Sequence, residues 1–120
     1  MIVDPDETSV LLLKEVLLMV LPNSVDYQIV SLESGNEALA LCSRNNPCIV
    51  FTEIRLKDID GFRFTKSIKE HNPEIPVVIE TATVEDHVEQ QACESGCDGY
   101  LTKPLNFDEL ESLIKKIIRF

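Results

Sequence analysis

Positive charge is scarce in this chain: 11 Lys and Arg stand against 21 Asp and Glu, a formal net charge of −10 over 120 residues. So acidic a surface repels phosphate backbones and anionic lipid heads, which argues against direct nucleic-acid or membrane binding. Long apolar runs are missing as well; none reaches the roughly 20 residues that span a bilayer. The opening Met1-Ile2-Val3-Asp4 turns acidic where a secretory leader would carry a basic region. A cytoplasmic protein is the expectation. Paired metal-ligating residues are absent too. Cys42, Cys48, Cys93 and Cys97 form no Cys-x-x-Cys, and His71 and His87 fall in no ligand spacing. Scattered, reduced and mostly buried thiols are expected instead of a zinc or redox site. Repeats, low-complexity stretches and linkers are equally lacking. Residues 1–120 therefore read as one domain, and 44% hydrophobic residues suffice for a core without disulfides or metal.

What is present alternates. Short apolar runs at Met1–Val3, Tyr27–Val30, Cys48–Phe51, Pro76–Ile79 and Gly99–Leu101 read as strands. The third and fourth are continuously apolar, as strands covered on both faces should be. Helical patterns lie between them. The first starts near Asp6 or Thr8 and must stop by Pro22. The second runs from about Gly35 to Arg44 behind a Ser34 cap. The third covers Gly61 to Glu70, and the fourth Val84 to Glu94 with Gly96 as a left-handed cap. The last runs from Asn106 or Phe107 to the end, with Leu110, Leu113, Ile114 and Ile117 on one face. Five strands alternating with five helices predict a doubly wound α/β domain with a parallel sheet between helix layers.

In such a sheet, function gathers beyond the carboxyl ends of the strands. Those ends carry Asp4-Pro5-Asp6, Thr52-Glu53, Thr81-Ala82 and Thr102-Lys103-Pro104, which bring acids, a hydroxyl and a lysine to one rim. This set, with the stretch Glu53-Ile54-Arg55-Leu56-Lys57-Asp58-Ile59-Asp60-Gly61 and the motif Gly99-Tyr100-Leu101-Thr102-Lys103-Pro104-Leu105, resembles the receiver domains of two-component response regulators. The resemblance covers essentially the whole chain. It implies a five-stranded flavodoxin-like sheet of order 2-1-3-4-5 and a signalling module, not an enzyme. It further implies a Mg²⁺ site of two acids after the first strand, an acceptor aspartate after the third, and a backbone carbonyl at Arg55. Thr81, Tyr100 and Lys103 match the family's phosphate-binding and switch residues, and Lys103-Pro104 matches a peptide bond that is usually cis. The implied partner is a protein: a histidine kinase, a phosphotransfer domain or an output domain.

Two positions depart from that pattern. Glu53 stands at the acceptor position, one methylene longer than aspartate, and phosphoryl transfer depends on placement. Pro5 stands where the second acid belongs and offers no side-chain oxygen to Mg²⁺; Asp6, one residue on, is turned away unless the loop is rebuilt. The expectation is a degenerate receiver with weak or absent metal binding through Asp4, Glu53 and Arg55, no cofactor, and a fixed Glu53–Lys103 ion pair. One alternative is a conventional Mg²⁺-dependent receiver phosphorylated by a histidine kinase on Glu53 or on a neighbour such as Asp58. A flavodoxin-like cofactor binder is a second, but Pro5-Asp6-Glu7-Thr8 is acidic where a phosphate cradle needs free amides.

The first helix carries more apolar residues than one buried stripe requires. Leu13, Val16, Leu17 and Val20 make the stripe, with Leu12 alongside. Leu11 and Leu18, seven apart, share another face and are candidates for partner docking or a homodimer, unless Ile118 and Phe120 cover them.

Overall fold

The structure, a computed structural model, describes residues 1–23 and 26–118. Its elements alternate: β1 (Ile2–Val3), α1 (Glu7–Val20), β2 (Ser31–Leu32), α2 (Gly35–Arg44), β3 (Val50–Thr52), α3 (Gly61–His71), β4 (Val77–Thr81), α4 (Val88–Glu94), β5 (Gly99–Thr102) and α5 (Phe107–Ile118). All strand pairs are parallel, and the sheet order is β2-β1-β3-β4-β5. Every residue of β3 and β4 is buried, which accounts for their unbroken apolar sequence, Glu80 and the terminal threonines apart.

Two apolar layers flank the sheet. On one face Val10, Leu13, Val16 and Leu17 of α1 and Leu110 and Ile114 of α5 cover Ile2, Phe51, Val78 and Leu101. On the other, Ala38 and Cys42 of α2 and Phe64 and Ile68 of α3 cover Val3, Val50 and Val77. Local chemistry sets the helix ends. Pro22 disfavours the helical region for Leu21, whose ψ is 141°, so α1 stops at Val20. Ser34 accepts from the Glu37 amide at 3.3 Å and Asp60 from the Arg63 amide at 2.8 Å, capping α2 and α3. Gly96, at φ 91°, closes the turn after α4.

Several expectations need correction. β2 lies later than the expected Tyr27–Val30: Ser31 and Leu32 stand in register with Ile2 and Val3, the two residues of β1, and of the expected run the Val30 carbonyl accepts from the Ile2 amide at 2.8 Å. Helix α4 begins at Val88, not Val84. The Thr83 amide is taken by the Thr81 hydroxyl at 3.1 Å, a local bond that competes with helix formation, and Val84 is left 78% exposed. Val10 belongs to the buried stripe of α1, three residues before Leu13 and seven before Leu17, whereas Leu12 faces outward. The thiols are not mostly buried: Cys42 is, but Cys48 ahead of β3 and Cys93 on α4 are exposed. Phe120, a possible cover for α1, lies outside the described residues. No helix among the described residues is long and apolar enough to cross a membrane.

Candidate functional site

Parallel strands bring Asp4, Glu53, Thr81 and Lys103 to one edge of the sheet, at the carboxyl ends of β1, β3, β4 and β5. Lys103 is the centre. Its Nζ donates to Asp4 Oδ2 at 2.9 Å, Glu53 Oε2 at 2.8 Å and Ser9 Oγ at 3.0 Å, so all three of its protons are used. The remaining carboxylate oxygens are held by the backbone. Asp4 Oδ1 accepts from the Asp6 amide and Glu53 Oε1 from the Ile54 amide, at 2.8 and 2.7 Å. The Ser9 hydroxyl in turn donates to Asp6 Oδ2 at 2.6 Å. The result is a closed network in which one ammonium ties the ends of three strands to the first turn of α1.

Burial alone would lower the Lys103 pKa, but hydrogen bonds to Asp4 and Glu53 outweigh it, and the ammonium is held above its ordinary value. The Ser9 hydroxyl draws the Asp6 carboxyl below its ordinary range. The Asp6 carboxylate is exposed and reaches the cluster through Ser9.

Glu80 is the group that sequence reasoning missed. It is 4% exposed and lies in β4 in register with Leu101. Residues two apart in a strand share a face, so Leu101 and Lys103 point the same way, and Glu80 shares the face of Val78, toward α1 and α5. Desolvation pushes its carboxyl up to about 7, opposed by Lys103 and reinforced by the charges of Asp4 and Glu53. An acid ending an apolar run reads as the end of a strand. The period-two alternation from Val78 was the available signal.

The other expected residues are distributed unevenly. Thr81 is buried, with its hydroxyl engaged by the Thr83 amide; its carbonyl accepts from the Lys103 amide at 2.8 Å, but among the described residues no hydrogen bond joins its side chain to Glu53 or Lys103. The Tyr100 phenol makes a long 3.4 Å contact to the Thr83 carbonyl. Lys103-Pro104 is cis. Arg55, two residues after Glu53, is exposed. Gly61 sits where a Cβ would come within 2.8 Å of Ile54 Cα, so only glycine lets α3 begin against the loop that carries Glu53. Leu11 and Leu18 lie away from the rim on the outer face of α1, 60% and 55% exposed.

Asp58, the alternative acceptor, is committed elsewhere. Its carboxylate accepts from the Ser34 hydroxyl and the Gly35 and Asn36 amides at 2.7–2.9 Å, across the N-terminus of α2. Those bonds, the Ser34 hydroxyl first, hold it well below the usual carboxylate range. A cavity of about 770 Å³ lies among Leu17, Leu21, Ile29, Cys48, Ile114 and Ile118 and includes none of the rim residues.

Known proteins share this fold. Residues 1–115 match the response regulator receiver domain family. The DNA-binding transcriptional regulator NtrC of Salmonella typhimurium is 35% identical over 86 residues, 72% of this chain but 18% of that protein. The chain thus corresponds to less than a fifth of that relative's length. A two-component response regulator from Clostridium difficile superposes with a TM-score of 0.84 at 32% identity, over 98% of this chain and 93% of its own. The receiver domain of sensor histidine kinase PA1611 from Pseudomonas aeruginosa, solved with magnesium in its active-site cleft, has the same fold: TM-score 0.84, 19% identity, and coverage of 99% and 95%. With the strand order and the family match in agreement, the chain belongs to the response regulator receiver domains of two-component systems.

Proposed function

We propose that this receiver transmits its signal through protein contacts without metal-dependent phosphorylation of Glu53. The observation that carries the reading is the position of the Lys103 ammonium. It lies within 2.9 Å of both Asp4 and Glu53, the two carboxylates that would have to converge on Mg²⁺. Mg²⁺ demands near-octahedral oxygen coordination. Here Pro5 offers no side-chain oxygen, Asp6 is turned out to Ser9, and each rim carboxylate divides its two oxygens between Lys103 and a backbone amide. The residues present therefore do not fit the ion, and no phosphoryl step is routed through it. The exclusive hold of α2 on Asp58 argues against a substitute acceptor.

Treatment with acetyl phosphate and Mg²⁺, or with beryllofluoride, should leave the chain unchanged. A stoichiometric phosphoryl adduct in the intact mass would refute the reading.

The contact surface we favour is the outer face of α1, where Leu11, Leu12, Leu18 and Met19 are all exposed. Four side chains on two helical turns fall short of the ~800 Å² per partner that a stable dimer buries. A transient contact with a helix of a signalling partner suits this face better than a homodimer. A kinase, a phosphotransfer domain or an output domain would each supply such a helix, in a cytoplasmic setting.

A further inference from the structure

We propose that the cavity between α1, α5 and the amino ends of β1, β2 and β3 is a binding site for an uncharged, apolar small molecule. The site is independent of the rim, which lies at the opposite ends of the strands.

The cavity measures about 770 Å³, within the range of small-molecule sites. Its floor reaches the core: Phe51 of β3, Leu17 of α1 and Ile114 of α5 line it, and all three are buried. Ile118 at the end of α5 and Ile29 in the irregular stretch ahead of β2 continue the apolar wall. Hydrogen-bonding groups come from the loops, where Asn45 and Asn46 follow α2 and Asp26 precedes Ile29, all exposed. Apolar depth with a few polar groups toward solvent is the pattern of a small-molecule site. Walls from two helices, a strand and two loops enclose the space on several sides, whereas a partner helix needs an open groove. Among the described residues, Asp26 is the one charged side chain that lines it, on a chain of net charge −10. An anion is therefore disfavoured, and no buried counter-charge is present to hold a cation. Interiors are otherwise close-packed, and an apolar guest restores the contacts that this space forfeits. Cys48 supplies an internal reporter: it is exposed and lines the cavity, while Cys93 is exposed on α4 and does not.

The full chain is titrated with the uncharged dye Nile red by fluorescence, and alkylation of Cys48 and Cys93 by iodoacetamide is followed by peptide mass. The dye should bind with one-to-one stoichiometry and slow alkylation of Cys48 while leaving Cys93 unchanged. Ile118→Trp and Ile29→Trp, which fill the space, should weaken uptake about tenfold or more in whichever variant folds. Leu11→Glu with Leu18→Lys should leave uptake as it is, since both residues are exposed on the outer face of α1. The proposal is overturned if the wild type shows no saturable uptake or if Cys48 stays unprotected. Uptake indifferent to a folded tryptophan variant, or lost with the α1 leucines, overturns it as well. Uptake that appears only after Phe120→Ser makes Phe120 the occupant and has the same result. Equal affinity for the anionic dye anilinonaphthalene sulfonate overturns the choice of an uncharged ligand.

Discussion

Replacing Glu80 with glutamine tests the electrostatics of the rim directly. Glutamine keeps the shape and loses the ionisation. The carboxyl titrates near 4.5 when unfolded and is raised to about 7 in the fold, chiefly by burial. Between those values the folded chain holds a proton that the unfolded chain has released. Stability from this group is therefore fully present below about pH 4.5 and lost as pH rises through about 7. At 1.36 kcal/mol per pKa unit, the loss approaches roughly 3 kcal/mol above pH 8, of which roughly 2–3 kcal/mol develops between pH 5 and pH 8. Other groups move in that window. The Met1 amine, lowered by burial from 8.0, gives the opposite slope, while Asp6 and Asp58, both lowered, act at more acid pH. All are common to both proteins and cancel in the difference. Urea melts of wild type and Glu80→Gln at pH 5 and pH 8 should show the variant gaining on the wild type by that amount. A buried amide has its own cost, so the absolute difference at one pH is not diagnostic. A difference that stays constant between the two pH values refutes the reasoning.

Three further outcomes are expected. Glu53→Asp alone should not take up phosphate from acetyl phosphate with Mg²⁺, and Pro5→Asp with Glu53→Asp should, because only the pair returns both an acceptor of the right length and a ligand oxygen; equal adducts by intact mass in the single and double variants would refute it. Gly61→Ala should cost at least ~1–3 kcal/mol in denaturant melts, since its new Cβ meets backbone at Glu53 and Ile54 that cannot give way as a side chain can. Leu11→Glu with Leu18→Lys should leave circular dichroism unchanged and stability within about 0.5 kcal/mol, as befits exposed positions, while abolishing partner capture in pull-downs; unfolding would make these leucines core.

Legibility in the sequence followed the range of the forces involved. Helix α2 was read to its bounds because its cap, Ser34, and its stop, Asn45-Asn46-Pro47, are local. The end of α1 was readable because Pro22 acts on its immediate neighbour. Strands β3 and β4 announced themselves by being covered on both faces. By contrast, Tyr27–Val30 looks more strand-like than Ser31–Leu32, and only the register against β1 decides between them. Asp58 reads as a spare loop acid until α2 is laid against it in space, with Ser34 some 24 residues away in sequence. Glu80 was hidden for the same reason, since its burial depends on the packing of the sheet face it shares with Val78, which elements distant in the chain cover.

At Pro5 the proposed departures of the rim from its family act together. The Asp6 amide donates back to Asp4 Oδ1 at 2.8 Å, an Asx turn with the proline at its centre. Proline fixes φ near −65° there, so the turn is formed with little entropy left to lose. That turn leaves the second oxygen of Asp4 for Lys103. Glu53 behaves alike: the Ile54 amide holds one oxygen and the other goes to the same ammonium. Each carboxylate is thus pinned by backbone on one side and shared on the other, which holds Lys103 in one place. With Glu80 buried and neutral below about pH 7, the cluster of Asp4, Glu53 and Lys103 carries a single net negative charge. Displacing the lysine would expose both pinned carboxylates, and losing one partner of a buried pair typically costs about 3–5 kcal/mol. An incoming divalent ion must recover that cost without the oxygen that Pro5 has removed. On the function proposed above, the proline supplies rigidity to the ion pair at the position where the family supplies a metal ligand, at the expense of capacity for the ion.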